Sequence, residues 1–324
     1  MKAFITGGTG FIGSHLVDSL IEHEDYSEIR CLVRSSDKWL KSKDFLRIEG
    51  DLHNLSALTK AVRNVDVVFH LAGVVKAQTY QEFERANVEA TENLVRIAQK
   101  EGVKKIVILS SLAAAGPSQN GPVTESDRML PVSMYGRSKK RMEETIHAIA
   151  DKDTSVTILR PPAVYGPRED QIFTFFKMVS NHICPIIGDG QTPKISMVYV
   201  GDVIQGILKA ADQREPGVRT YFISGEHIHT WEEIRKITTT VLGKKAIPVY
   251  VKPRHVKKIA TLIEKTASFF GSYPVLNQDK ANELVLEWTC SIEKAQKELN
   301  YKPEYSLAEG ISRTIRWYKL HHWL

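Results

Sequence analysis

A chain of 324 residues, 42% hydrophobic and 25% charged, is long enough for one large α/β domain with a smaller appendage and has ordinary globular composition. Its formal net charge of +6 is too mild and scattered to argue for nucleic acid; a phosphorylated cofactor or an acidic membrane is equally compatible. Cys31, Cys184 and Cys290 are far apart with no CxxC pair, which speaks against a disulfide framework or a zinc site and for a reducing compartment.

The apolar run in "MKAFITGGTG" is too short for a signal-peptide core, and no later stretch approaches a membrane span, so a cytoplasmic location is expected. Through the first half, β-rich runs alternate with amphipathic stretches. The strands read at KAFIT, EIRCLV, FLRIEGD, VDVVFHLAG, KKIVILSS and SVTILRP; the clearest helix lies at 80–100. That alternation predicts right-handed crossovers and a doubly wound parallel sheet, a Rossmann-type α/β fold, over residues 1–165. Beyond 166 the pattern loosens into loops and prolines. It reads as a smaller, discontinuous substrate lobe over 166–195 and 226–324. SMVYVGDVIQGILKAADQ reads as a strand and helix returning to the main sheet, so 196–225 are expected to rejoin it.

"ITGGTGFIG" follows the first strand and opens a helix at Phe11. Gly7 suits a tight turn, Gly10 lets backbone approach a pyrophosphate, and Gly13 lets helix and strand pack closely. The helix N-terminus adds free N–H groups and partial positive charge, with Thr9, Phe11 and Ile12 beside the phosphates. A dinucleotide is therefore expected. At the end of the second strand Arg34 suits the 2′-phosphate of NADP, where an acid would suit the ribose of NAD; Ser35, Ser36 and Lys38 are at hand to assist. NADP is preferred and NAD is the alternative. Asp51 and Leu52 follow the third strand near the adenine. Leu71, Ala72 and Gly73 end the fourth strand where backbone passes the cofactor, and Pro162 follows the sixth.

Tyr135 and Lys139 stand four residues apart in "MYGRSKKRMEE", on one face of a helix after the fifth strand. For the phenol to exchange a proton near neutrality, its pKa of about 10 must fall by roughly two to three units, about 3–4 kcal/mol. An ammonium at about 4 Å supplies about 1 kcal/mol in bulk water and about 4 at an effective dielectric of 20. The pair therefore needs a site largely closed to water. Ser111, in "LSSLAAAG", offers a hydroxyl to the same substrate oxygen, ahead of Ser110. Asn87 reads as a polar link between the sheet and the active-site helix.

Together "TGGTGFIGSHLVDSL", "HLAG", "SSLAAAGP", "YGRSK", "RPPAVYGP" and "EGISRTIRWY" resemble the extended short-chain dehydrogenase/reductase superfamily, also called the NAD-dependent epimerase/dehydratase family, over nearly the whole chain. The resemblance implies Tyr135 as acid/base, Lys139 as its electrostatic partner and ribose ligand, Ser111 as the oxygen-positioning hydroxyl, and a homodimer paired through 80–100 and 133–150. Nucleotide-sugar epimerases usually carry asparagine in an RxxN pattern after the sixth strand and an arginine ahead of a later one. Here those positions hold Ala163 and Ile195, although Lys194 sits beside the latter; losing the amide and the guanidinium removes charge-assisted bonds to a diphosphate. "AAAGPS" and "VYVGDV" look closer to the 3β-hydroxysteroid dehydrogenase and dihydroflavonol-reductase-like branches. The expectation is an oxidoreductase acting on an apolar secondary alcohol or ketone. A nucleotide-sugar epimerase or dehydratase with tightly bound NAD is the alternative, and a non-catalytic dinucleotide sensor the third class.

Substrate choice is expected from the loops around 74–80 (including Lys76), Met134 and 168–178, with Phe173, Phe175 and Phe176 divided between pocket and core. His227 and His229 read as a surface turn, and no metal site is expected. The basic amphipathic stretch 254–270 is expected to pack on the substrate lobe, with peripheral membrane contact the lesser reading.

Overall fold

The computed structural model describes residues 1–256, 258, 260, 261 and 278–324. Strands β1 (Lys2–Thr6), β2 (Glu28–Val33), β3 (Leu46–Glu49), β4 (Val67–His70), β5 (Lys105–Leu109) and β6 (Ser155–Arg160) form, with β10 (Gly217–Phe222), one seven-stranded sheet in the order β10-β6-β5-β4-β1-β2-β3. Every pairing in it is parallel. Its strands are covered on both faces, which is why their sequences are continuous apolar runs. Within β1, Ala3 and Ile5 meet the core of α1 (Phe11–Glu22) and α8 (Val200–Ala211). Phe4 points the other way, toward α2 (Leu55–Val62), α4 (Ala90–Lys100) and α6 (Met134–Ile149).

After β6 the chain meets Pro161 and Pro162, which cannot donate to a sheet ladder, and it leaves the main sheet. β7 (Ala163–Tyr165) starts a separate three-stranded sheet with β9 (Ile195–Tyr199) and β11 (Ile228–His229). Here the structure corrects the expectation that the strand at 196 returns to the main sheet. β9 pairs with β7, Ala163 opposite Met197, while α8 and β10 come back to the main layer, where Ile292, Ala295, Leu299 and Tyr301, expected in the lobe, also pack. A pair of parallel strands, β8 (Ile183–Ile187) and β12 (Ile247–Val251), follows α7 (Phe173–Ser180) and α9 (Trp231–Leu242). Helices α10 (Gln278–Leu284), α11 (Glu293–Leu299) and α12 (Leu307–Leu320) complete the chain.

Of the basic stretch 254–270, Val256 and Ala260 are buried beside Ile187 and Ala281, on the lobe. Positions 257, 259 and 262–270, including Ile263, Ala267 and Phe270, lie outside the described residues, and with them the membrane expectation. No helix among the described residues is long and apolar enough to cross a membrane.

Candidate active site

The strand order reverses beside β1, so the carboxyl ends of β1, β4, β5 and β6 surround one crevice. Gly7 lies at φ +77°, and a Cβ there would sit 2.6 Å from the Ala72 nitrogen; a Cβ on Gly13 would sit 2.1 Å from the Gly7 carbonyl oxygen. Leu71 N–H donates to the Thr6 carbonyl at 3.0 Å, which draws Leu71–Gly73 alongside the turn. Gly10 caps α1 without any side-chain bond, and the first turn carries no acid. The free N–H groups at Phe11 and Ile12 therefore keep their partial positive charge for a ligand. Gly10 is exposed; Thr9, Phe11 and Ile12 are half-buried. This cradle fits the pyrophosphate of a dinucleotide.

At the end of β2, Arg34, Ser35, Ser36 and Lys38 are all exposed. The acid beside them, Asp37, is engaged by Arg47 of β3, whose guanidinium also reaches the Ser35 carbonyl at 3.4 Å. Arg47 is a second guanidinium at this rim that reading along the chain misses, because the β2–β3 register brings it there opposite Cys31. Asp51 is exposed, and its Oδ1 accepts from the backbone of His53 (2.8 Å) and Asn54 (3.0 Å). Leu52 packs under it against the α2–α4 core, and Pro162 is half-buried where β6 gives way to β7.

Ser133 caps α6 by accepting from Gly136 N–H at 3.1 Å, so the helix starts on the residue before Tyr135. Lys139 is 4% exposed; its Nζ donates to the Leu109 carbonyl at 2.9 Å, and a Cβ on Gly73 would lie 3.3 Å from it. The ammonium thus stands between the ends of β4 and β5, where a ribose would pass. Burial pushes it down to about 8, with Glu143 opposing. Burial pushes the Tyr135 phenol up to about 12, Ser111 opposing and Glu283 of α10 adding to the rise. The expected lowering of the phenol by Lys139 is therefore not what the protein's own groups produce, because desolvation outweighs every other influence on it.

Ser111 both caps the short helix α5 (Leu112–Ala115), accepting from Ala113 N–H at 3.1 Å, and lies against the phenol. Ser110 faces away and donates to the Glu143 carboxylate. Asn87 lies in a π-helical turn at Glu84–Glu89, between α3 (Tyr80–Phe83) and α4. Its Oδ1 accepts from Val74 N–H (2.8 Å); its Nδ2 donates to the Val74 carbonyl and the Ser138 hydroxyl (3.0 Å each). It ties the strand end beyond Gly73 to the Tyr135 helix. π-helical turns inside α-helices are frequent at functional sites.

On the substrate side, Met134 N–H donates to Asp279 Oδ2 of α10 at 3.0 Å, so a helix from the far end of the chain seats on the start of α6. Asp279 and Glu283 give no local signal in the sequence. Lys76 is exposed beside Val75. Phe173 lies elsewhere than its expected pocket: its ring stands edge-on to Tyr318 (5.0 Å) and Trp323 (5.2 Å) in the second-lobe core, where Phe175 and Phe176 also pack. Two rings from the C-terminus, Tyr318 and Trp323, claim Phe173 instead.

Residues 3–224 match the model of the NAD dependent epimerase/dehydratase family. The chain is 28% identical to a ceramide reductase of Caulobacter vibrioides, over 99% of this chain and 95% of that protein. It is 25% identical to a 3-beta-hydroxysteroid dehydrogenase of Mycolicibacterium neoaurum, over 98% and 90%. The solved structure of MoeE5 in complex with UDP-glucose and NAD superposes with a TM-score of 0.80 at 26% identity, covering 99% of this chain and all of that one. With the glycine cradle and the Ser111–Tyr135–Lys139 constellation in one crevice, the chain belongs to the NAD-dependent epimerase/dehydratase family, the extended short-chain dehydrogenase/reductases, and is an oxidoreductase of that family.

Proposed function

We propose that the protein moves hydride between NADP and an apolar secondary alcohol or ketone. The observation that carries the substrate class is the rim of the crevice. Val75, two residues past Gly73, is 52% exposed, and Leu130 and Val132, leading into Tyr135, are 45% and 39% exposed. Exposed apolar side chains on the segments that follow β4 and lead into the Tyr135 helix suit an apolar substrate. Ala163 and Ile195 support the same reading, since neither can hydrogen-bond a diphosphate. The names of the ceramide and hydroxysteroid relatives agree with it.

NADP, when bound, supplies or accepts the hydride. Tyr135, protonated at neutral pH, gives its proton to the carbonyl oxygen during reduction. Ser111 holds that oxygen, and Lys139 holds the ribose and places positive charge behind the phenol as it ionises. Arg34 and Arg47 supply cationic partners for a 2′-phosphate. The competing reading, a nucleotide-sugar epimerase or dehydratase, is favoured by the UDP-glucose and NAD in the MoeE5 complex.

Titration with NAD and NADP, then NADPH oxidation with a steroid ketone, a 3-oxo sphingolipid and UDP-glucose, separates the two. Tightly retained NAD with UDP-glucose turnover and no net NADPH consumption would replace the first reading by the second. Arg34→Ala is expected to weaken NADP about tenfold, about 1.4 kcal/mol, and to leave NAD unchanged. We further propose a cytoplasmic homodimer paired through α4 and α6; sedimentation as a single chain would remove the pairing.

A further inference from the structure

Helix α6 continues the stripe of Tyr135 and Lys139 by one more turn to Glu143. This carboxylate is 1% exposed and is held from two sides. Arg160, at the end of β6 and 4% exposed, donates from Nε to both carboxylate oxygens (3.0 and 3.1 Å) and from Nη2 to Oε2. Ser110, at the end of β5, donates to Oε1. Arg160 Nη1 is buried with no partner, and its guanidinium lies over the Phe222 ring. Apolar residues of like volume commonly hold such a place at no loss of stability, so a charged pair with an unmet donor needs another reason.

We propose that Glu143, clamped by Arg160 and Ser110, is a positioning residue that holds Lys139 in place and in charge for the reaction. The proposal rests on the reading of Lys139 above. Its geometry has two parts. Ser110 stands between Leu109, whose carbonyl receives the Lys139 ammonium, and Ser111, which meets the phenol; fixing Ser110 fixes both. The carboxylate also lies one turn behind the ammonium in a site with little water, where its charge opposes the loss of the lysine proton.

The other groups around Lys139 leave that task to Glu143. His70 of β4 donates and accepts between Thr6 (2.6 Å) and Thr91 (2.8 Å), and its pKa is pushed down to about 3, so it is neutral. Asn87 of the π-helical turn is neutral, and α5 carries no ionisable side chain. Tyr135 precedes the lysine on α6 itself, Glu283 of α10 acts on that phenol, and Arg160 of β6 reaches the lysine only across Glu143.

The test titrates Lys139 in the full-length chain by acetic anhydride labelling against pH, read by peptide mass spectrometry with exposed Lys104 as reference. Glu143→Gln leaves the buried Arg160 charge unpaired, at a cost to folding, so the deciding variant is Glu143→Gln with Arg160→Met, which removes both charges. The labelling midpoint, near 8 in the wild-type chain, is expected to fall by about one pH unit, tenfold in proton affinity. A folded double variant with an unmoved midpoint overturns the proposal, and so does a double variant that cannot fold, since the pair is then structural alone. The underlying reading fails separately: Lys139→Met binding NADP with wild-type affinity would remove Lys139 from the cofactor site whatever its titration.

Discussion

Aliphatic side chains predominate in the seven-stranded sheet, and aromatic ones gather in the C-terminal lobe. Around β1, Ile5, Leu16, Val67 and Val107 interlock between strands and helices. In the lobe, Tyr318 and Trp323 stack with centroids 5.4 Å apart, while Phe173 and Trp317 meet the same two rings edge-on. Branched aliphatics on a pleated surface give a regular frame whose strand ends emerge at fixed spacing, which suits a site needing sub-ångström placement. Rings joined by irregular chain rely on polar tips as well: Tyr318 donates to the Glu169 carbonyl at 2.7 Å. The chemistry is thus mounted on the aliphatic half, and the aromatic half carries the cover, through α10, that meets it from the far end of the chain.

If that division is right, the largest effects on turnover come from single atoms in the sheet half. Tyr135→Phe removes only a hydroxyl, and kcat is expected to fall by about 10²–10⁴ with NADP affinity and thermal melting unchanged. Phe173→Ala, in the aromatic half, is the matched control. An equal loss of kcat per folded molecule there would break the comparison. Gly13→Ala comes next. Its Cβ would meet the Gly7 carbonyl at 2.1 Å, backbone against backbone, with no flexible side chain to move aside. Destabilisation of about 3 kcal/mol in urea melts and loss of NADP binding are expected together.

The same division explains what could be read from the sequence. Each of the six expected strands contains an observed one, because parallel strands buried on both faces are continuous apolar runs, and the glycine turn and the Tyr135–Lys139 spacing are local patterns. Glu143 was legible by the same rule one turn further on and went unread, since a carboxylate on a helix is ordinarily solvated. β9 misled because an apolar strand before a helix looks identical whether it joins a large sheet or a small one; the prolines after β6 decided it. Asp279, Glu283 and Arg47 reach the crevice through tertiary approach or strand register, and Phe173 was taken by rings from the C-terminus. Those contacts have no local signature.

Acid titration sharpens the contrast at the seam between the halves. Asp202 of α8 is 1% exposed; one oxygen accepts from Glu304 N–H at 2.7 Å and the other is buried without a partner. Burial pushes its pKa from 3.8 up to about 6. The folded chain therefore keeps a proton that the unfolded chain releases near pH 4. Stability from this group is complete below that pH and falls as pH rises through about 6, by about 2–3 kcal/mol in all. Asp202→Asn is expected to flatten the dependence of urea stability on pH between 4 and 6 and to leave the pH profile of turnover alone. A wild-type slope in that variant would assign the titration to Glu169, which burial likewise pushes up to about 6.

The smallest effect belongs to one polar tip of the aromatic half. Tyr318 is fully buried at the end of α12, and its hydroxyl spans to the loop before α7 through the Glu169 carbonyl. Tyr318→Phe keeps the stack on Trp323 and the edge contact with Phe173 and deletes the hydroxyl's bonds to the Glu169 carbonyl (2.7 Å) and, more weakly, the Gly166 carbonyl (3.4 Å). The cost is expected to be about 1 kcal/mol, seen as a lower urea midpoint at unchanged slope. Turnover per folded molecule should hold, because among the described residues its hydroxyl meets the Gly166 and Glu169 carbonyls and its ring meets Phe173, Phe176, Trp317 and Trp323. A fall in kcat at full cofactor affinity would show that the aromatic packing sets the geometry at Tyr135, where Asp279 and Glu283 of α10 meet the start of α6.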